Sequence, residues 1–231
     1  MTFSDLKRHF YSIPSRSPWT TGWSADGQTG LGTYEPVRKP QKVNLPKVVS
    51  VKSAGDFVLA LTKNGELYGW GNNEHAQLSE FCDEQQVNKP IRLHMKKYFK
   101  NKKIVEIGCT ANAGFAILEN NQVYSWGHGL TLGLGPETKY TKIPREIELE
   151  FFGKNKDFNE CRVRKIVGGI DHVVAITNDG GCYGWGRNRD GRLGNNTFRD
   201  FSYPFPIILK QKCVDVSCGS DHTIFVTRFV T

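Results

Sequence analysis

Short runs of apolar, β-branched and aromatic residues recur along this chain, separated by polar turn residues, and that rhythm predicts β-strands almost throughout. Three hairpins stand out: Val58 to Leu61 then Leu67 to Trp70, Phe115 to Leu118 then Val123 to Trp126, and Val173 to Ile176 then Cys182 to Trp185. Their connecting dipeptides, Asn64-Gly65, Asn120-Asn121 and Asp179-Gly180, accept the positive backbone dihedrals of a tight two-residue turn. One more β-rich run precedes each hairpin: Val48 to Val51, Ile104 to Ile107 and Val163 to Val167. A fourth such run, Val214 to Ser217, leads through Cys218-Gly219-Ser220-Asp221-His222 into Ile224 to Thr227, and the sequence ends where the next tryptophan is due.

The unit therefore repeats as a whole. Trp23, Trp70, Trp126 and Trp185 lie 47, 56 and 59 residues apart, near or a little above the ~40 to 50 residues of one propeller blade. Equal offsets place Gly71, Gly127 and Gly186 behind three of the tryptophans, and Leu31-Gly32, Leu78, Leu134-Gly135 and Leu193-Gly194 further on. Fourteen residues ahead sit Asp56, Asn112 and Asp171, with Asp221 in the last unit. The pattern predicts an all-β protein, a β-propeller of four-stranded antiparallel blades spanning residues 20–231, with the four tryptophans in equivalent positions and helix confined to 94–103 and 145–160. The first unit has only its tryptophan half and the last, 213–231, only its leading half. That makes about four blades, three continuous and one split. An open arc is expected, with apolar surface bare on the terminal blades and self-association through their edges.

Cys218 to Thr223 and Trp185 to Gly194 resemble the Cys-Gly-x-x-His-Thr and Trp-Gly-x-Asn-x-x-Gly-x-Leu-Gly stretches of the regulator of chromosome condensation family of β-propellers. The resemblance covers roughly residues 20–228 and is closest to the family's mitochondrial branch, through Gly22 to Gly32, Gly69 to Leu78, Gln86 to Pro90 and Trp126 to Gly129 leading to Ile143-Pro144. Members normally have seven blades, so the chain looks like their C-terminal four repeats. The resemblance implies three alternatives. One is a mitochondrial scaffold in large-subunit ribosomal RNA maturation and mitoribosome assembly, whose partners are pseudouridine synthases, assembly factors and ribosomal RNA. The second is a guanine-nucleotide exchange factor for a mitochondrial fusion GTPase or, in the wider family, for Ran. The third is a truncated fragment without a partner. It implies neither catalytic residues nor a cofactor.

Asp56, Asn112, Asp171 and Asp221 fall in turns between the first two strands of successive units, so they emerge on one rim, and each is read either as a turn cap or as a partner contact. In the nuclear relatives that rim engages the GTPase, and by resemblance Asp171, His172, Asp221 and His222 are the nearest counterparts of the acids and histidines used there. His172 and His222 share their place in the repeat with Phe57 and Ala113, which favours packing within the blade.

Lysine and arginine outnumber the acids 31 to 23, a net charge of +8. The excess is diffuse except at Lys96, Lys97, Lys100, Lys102 and Lys103, interleaved with Tyr98 and Phe99. That run is read either as a solvated loop or as a patch that contacts RNA phosphates while its rings stack on bases. The insertion Glu137 to Glu160 carries Phe151, Phe152 and Phe158, expected to pack against the blades. Residues 1–19 form a separate segment; up to Ser17 it sets Lys7, Arg8 and Arg16 against the single acid Asp5, weakly like a mitochondrial presequence. The six cysteines contain no C-x-x-C pair, and a role as small buried side chains in a reducing compartment is expected rather than metal binding or disulfides. No apolar run approaches the ~18 residues of a membrane span, and none of the phosphate-loop, nucleophile-elbow or zinc-helix motifs occurs.

Overall fold

The computed structural model describes residues 16–153 and 161–228. Sixteen strands follow in order: β1 (Trp19–Gly22), β2 (Val37–Lys42), β3 (Val48–Ala54), β4 (Phe57–Thr62), β5 (Leu67–Asn72), β6 (Gln86–Leu93), β7 (Ile104–Cys109) and β8 (Ala113–Leu118). The second half continues with β9 (Val123–His128), β10 (Tyr140–Ile147), β11 (Val163–Gly168), β12 (His172–Thr177), β13 (Cys182–Gly186), β14 (Phe201–Ile207), β15 (Lys212–Cys218) and β16 (Thr223–Arg228). They form three four-stranded antiparallel meanders, β3 to β6, β7 to β10 and β11 to β14, flanked by the two-stranded sheets β1–β2 and β15–β16. The two halves of the expected split blade remain separate sheets, so the propeller is open. First strands of successive units touch one another, β3 to β7, β7 to β11 and β11 to β15, and the blades converge on them.

The second strand of each complete blade, β4, β8 and β12, is buried along its whole length between neighbouring sheets. Unbroken apolar runs form strands there because both faces lack water. Helix is limited to single 3-10 turns. Met95–Lys97 and Leu149–Phe152 fall within the expected insertions, whereas Ser79–Phe81 and Leu130–Leu132 lie outside them, in the loops that follow the tryptophans.

Three indoles stitch the blades together. Trp70 Nε1 donates to Gln28 O (2.9 Å), Trp126 Nε1 to Gln77 O (2.7 Å) and Trp185 Nε1 to Thr131 O (2.7 Å), each acceptor belonging to the preceding unit. Trp23 does not belong to this set, and here the expected four-fold equivalence fails. Strand pairing skips Trp70, Trp126 and Trp185 as bulged residues between the third and fourth strands, and in β1–β2 the skipped residue is Thr21. The positive-φ glycine after it is Gly22 (φ 113°), matching Gly71 (97°), Gly127 (112°) and Gly186 (102°). Trp23 thus corresponds to Asn72, two residues out of register, and is 65% exposed against 3%, 0% and 0% for the other three. The place of Tyr68, Tyr124 and Tyr183, two residues before each tryptophan, is held by Trp19.

A second register shift follows Trp126, where the loop is two residues shorter. Leu132 and Gly133, not Leu134 and Gly135, are the counterparts of Leu78 and Ser79. Leu132 is fully buried like Leu78 and Leu193, and Gly133 (φ 71°) lies under Trp185 as Gly30 (φ 70°) lies under Trp70. Likewise Thr29 and Gly30 replace Leu31 and Gly32.

Gly71, Gly127 and Gly186 are dictated by contact as well as by dihedral angle. A Cβ there would lie 2.0, 2.2 and 2.4 Å from the carbonyl oxygens of Asp56, Asn112 and Asp171. Gly127→Ala is expected to destabilise the fold by roughly 2 to 4 kcal/mol, because an alanine at positive φ is strained and the oxygen it strikes is held backbone. A urea midpoint unchanged from the parent would contradict this.

The six cysteines are free thiols, four buried and two half-buried. Burial pushes Cys109 up to about 12 and Cys218 up to about 11, so these thiols are inert near neutrality. Phe152 is fully buried against Trp185 and Tyr183, and Phe151 stacks on Tyr203 at 5.4 Å, as packing side chains should. Phe158 and the basic segment up to Ser15 lie outside the described residues.

Candidate functional site

In an antiparallel meander the turn between strands one and two and the loop between strands three and four fall at the same end. Asp56, Asn112, Asp171 and Asp221 all lie in or beside the first kind of turn, so the structure brings them to one rim. Their backbones are fixed. Asn72 N donates to Asp56 O (2.8 Å), His128 N to Asn112 O (2.9 Å) and Arg187 N to Asp171 O (2.8 Å).

Their side chains do not cap turns. Among the described residues, none of the three aspartate carboxylates accepts a turn amide; that work falls to Thr110, whose hydroxyl accepts from Ala113 N at 3.0 Å. The acids instead face side chains of neighbouring loops. Gln28 Nε2 donates to Asp56 Oδ1 (2.5 Å), Arg192 reaches Asp221 (2.8 Å), and Arg187 lies 3.7 Å from Asp171. Gln28, Gln77 and Arg192 each follow the bulged position by seven residues, and each crosses to the next unit's turn, Gln77 through Ala111 O at 3.0 Å. Arg192 is 8% exposed, forms a second ion pair with Asp190 (2.5 Å) and donates to Ser220 O (3.3 Å). Asp56 and Asp221 remain exposed; Asn112 and Asp171 are half-buried.

The two histidines part company. His222 is exposed, whereas His172 is completely buried beneath β15–β16 and cannot touch a partner. His172 Nε2 lies 2.9 Å from Thr223 Oγ1, and that hydroxyl donates its one proton to Arg192 O (2.7 Å). The hydroxyl must then accept, which fixes the neutral Nε2–H tautomer of His172. Burial first, and the Arg192 cation second, push His172 down to about 4. The chain His172, Thr223, Arg192 carbonyl joins the last whole blade to the terminal half-blade where an indole serves the other junctions.

Two further histidines on this rim were not singled out by spacing. His75 and His128 stack at 4.9 Å across a blade junction, and burial followed by the neighbouring His75 lowers His128. They sit five and two residues after their tryptophans, so no repeat position announces them.

Lys96, Lys97, Lys100, Lys102 and Lys103 lie in the connection from β6 to β7, at the opposite end of the blades, and all five are exposed. The structure corrects part of the nucleic-acid reading. Phe99 is 1% exposed and packs on Tyr124 at 4.9 Å, so it offers no stacking face. Lys97 is taken up by Glu80 and lies over the Tyr98 and Phe81 rings at 4.9 and 5.4 Å. That pairing raises Lys97 and lowers Glu80. The other four lysines make no ion pair among the described residues.

Among the described residues no group of three or more His, Cys, Asp or Glu side chains is placed to hold a metal, and no helix is long and apolar enough to cross a membrane.

With the recurrent bulges and glycines located, the comparison with known sequences is direct. Residues 19–61, 64–117 and 179–226 match the regulator of chromosome condensation (RCC1) repeat. The chain belongs to the RCC1-repeat family. It is 37% identical over 215 residues to the mouse RCC1-like G exchanging factor-like protein, covering 91% of this chain and 46% of that one. The human WBSCR16 crystal structure superposes with a TM-score of 0.86 at 34% identity, over 91% of this chain and 53% of that one. The yeast RCC1, Prp20, superposes with a TM-score of 0.77 at 21% identity, which speaks for the fold alone. The chain spans about half the length of the relatives it matches.

Proposed function

We propose that this RCC1-repeat chain works by docking partners on its propeller rims, without covalent chemistry, and that the acidic turn rim serves guanine-nucleotide exchange on a small GTPase. The observation behind this reading is the recurrence of Asp56, Asn112, Asp171 and Asp221 at one place in four successive units. Their backbones are held rigid while Asp56 and Asp221 face solvent. The name of the mouse relative supports the same reading. Exchange needs no bond-making residue: a surface that prefers the nucleotide-free GTPase shifts the population toward it and speeds release. In this reading His222 joins the rim contact and His172 only positions the turn that carries Asp171. Asp171→Ala combined with Asp221→Ala is expected to abolish acceleration of labelled-GDP release from a mitochondrial fusion GTPase. Full acceleration by that variant would remove the rim from the proposal.

The unpaired lysines favour a second reading, a mitochondrial scaffold that binds ribosomal RNA alongside pseudouridine synthases during large-subunit maturation. Since Lys97 is occupied by Glu80, RNA phosphates would be met by Lys96, Lys100, Lys102 and Lys103. Changing Lys96, Lys100 and Lys102 together to Gln should flatten the logarithmic salt dependence of RNA binding by about 0.7 to 0.9 for each phosphate no longer neutralised. An unaltered slope counts against it. The rim and lysine variants report separately, so either reading fails without the other.

A further inference from the structure

The two terminal half-blades are complementary to each other and bare where they would meet. In every complete blade the second strand pairs with the third: β4 with β5, β8 with β9, β12 with β13. β16 is a second strand with no third, and β1 is a third strand with no second. Residue equivalence sets the register a junction between them would take. His172 opposite Gly186, Val173 opposite Trp185 and Val174 opposite Gly184 translate into His222 opposite Gly22, Thr223 opposite Thr21 and Ile224 opposite Thr20.

The faces flanking that junction are apolar and uncovered. Ile224 is 59% exposed, whereas its counterparts Leu59, Phe115 and Val174 are all 0%. Val226 is 51% exposed against 1%, 2% and 0% for Leu61, Ile117 and Ile176. At the other end Trp19 is 63% exposed, while its counterpart Tyr124 is 7%. An unpaired strand edge beside apolar side chains is a template for another chain.

We propose that the occupant is a second copy of this chain, joined head to tail so that β16 of each copy pairs with β1 of the other. Curvature selects this partner over self-closure. The chain superposes at a TM-score of 0.86 on a molecule of which it covers 53%, so its arc bends like roughly half of a larger propeller. The sixteen strands make four blade equivalents. Closing four alone requires ~90° per blade, whereas two copies make an eight-bladed ring at ~45°, within the known range of blade numbers. A two-fold axis relates the two junctions, so the assembly is closed and does not grow into filaments.

The test is a crosslink at the register just given. Thr20→Cys and Ile224→Cys, made in separate full-length chains and mixed under mild oxidant, are expected to give a covalent dimer that neither variant gives alone. The unmodified chain is expected at twice its monomer mass by light scattering. Ile224→Asp, at a position exposed in the single chain and so tolerated by the fold, is expected to weaken the dimer by roughly tenfold or more, because the carboxylate is buried unpaired. A monomer of unaltered mass at tens of micromolar, as a rough working concentration for such weak edges, overturns the proposal. So does a link formed within one chain when both cysteines are placed in the same molecule.

Discussion

Replacing Trp126 by alanine is expected to unfold the central blades, while the same change at Trp23 leaves stability within about 0.5 kcal/mol of the parent. Trp126 is fully buried, sits among side chains of the first large core cluster, and donates from Nε1 to the carbonyl of Gln77 in the preceding unit at 2.7 Å. Truncation removes a large apolar side chain from a packed site, roughly 3 to 5 kcal/mol. It also strands the Gln77 oxygen at a blade junction, a further loss of about 1 to 3 kcal/mol. The sum rivals the ~5 to 15 kcal/mol that holds a whole domain together. Trp126→Phe, which keeps most of the apolar surface and loses the donor, should fall between the two. Urea midpoints of the three variants order themselves accordingly, and equal losses at Trp23 and Trp126 would restore the four-fold equivalence that the bulge positions deny.

That contrast shows where sequence reasoning reached and where it stopped. Strand identity was legible because the hydrophobic runs recur with their turn residues, and the tight hairpins at Gly65, Asn121 and Gly180 all take the positive φ anticipated for them. The open arrangement was legible from the phase of the repeat. Register was less so. Equal offsets from a tryptophan align Leu31 and Leu134 with Leu78, but the backbone counts from the bulged residue, and only pairing reveals that Thr21 is that residue. A two-residue shortening after Trp126 is likewise invisible when offsets are held constant. At the rim, topology fixed which end the acids occupy. Which of two like histidines faces solvent was decided by whether another unit packs above it. His172 is covered by β15–β16 and His222 is bare, although their neighbours read alike as Asp171-His172 and Asp221-His222. Phe99 shows the same limit, since an aromatic between lysines reads as a stacking ring until its packing on Tyr124 is seen.

The buried His172 carries the second large effect, a loss of stability in mild acid. Its unfolded form titrates at the ordinary 6.5, and burial with Arg192 nearby brings the folded form down to about 4. Across that window the unfolded chain binds a proton that the folded chain refuses, so stability rises with pH. The contribution is complete above about pH 6.5 and is lost progressively as pH falls toward 4, amounting to roughly 3 kcal/mol at about 1.4 kcal/mol per unit. Protonation there would place a second cation beside Arg192 and leave Nδ1, which has no partner, holding a buried proton. Asp179 and Asp215 are lowered as well, Asp215 chiefly by its Lys165 hydrogen bond and Asp179 by hydrogen bonds such as that from Thr177, against an opposing effect of burial. They act when pH falls through the carboxylate range, below most of the histidine window. His128 shifts in the same direction as His172 but is only half-buried, so the two are separated by substitution. His172→Phe, the residue that Phe57 places at this point in an earlier blade, leaves Thr223 donating to Arg192 O and removes the titrating group. Urea unfolding of both proteins at intervals from about pH 7 to 4.5 should give a gap that narrows steadily in acid as the parent loses its advantage. Parallel curves would mean that His172 keeps an ordinary affinity for protons inside the fold, and that the hydrogen bond to Thr223 does not specify its neutral form.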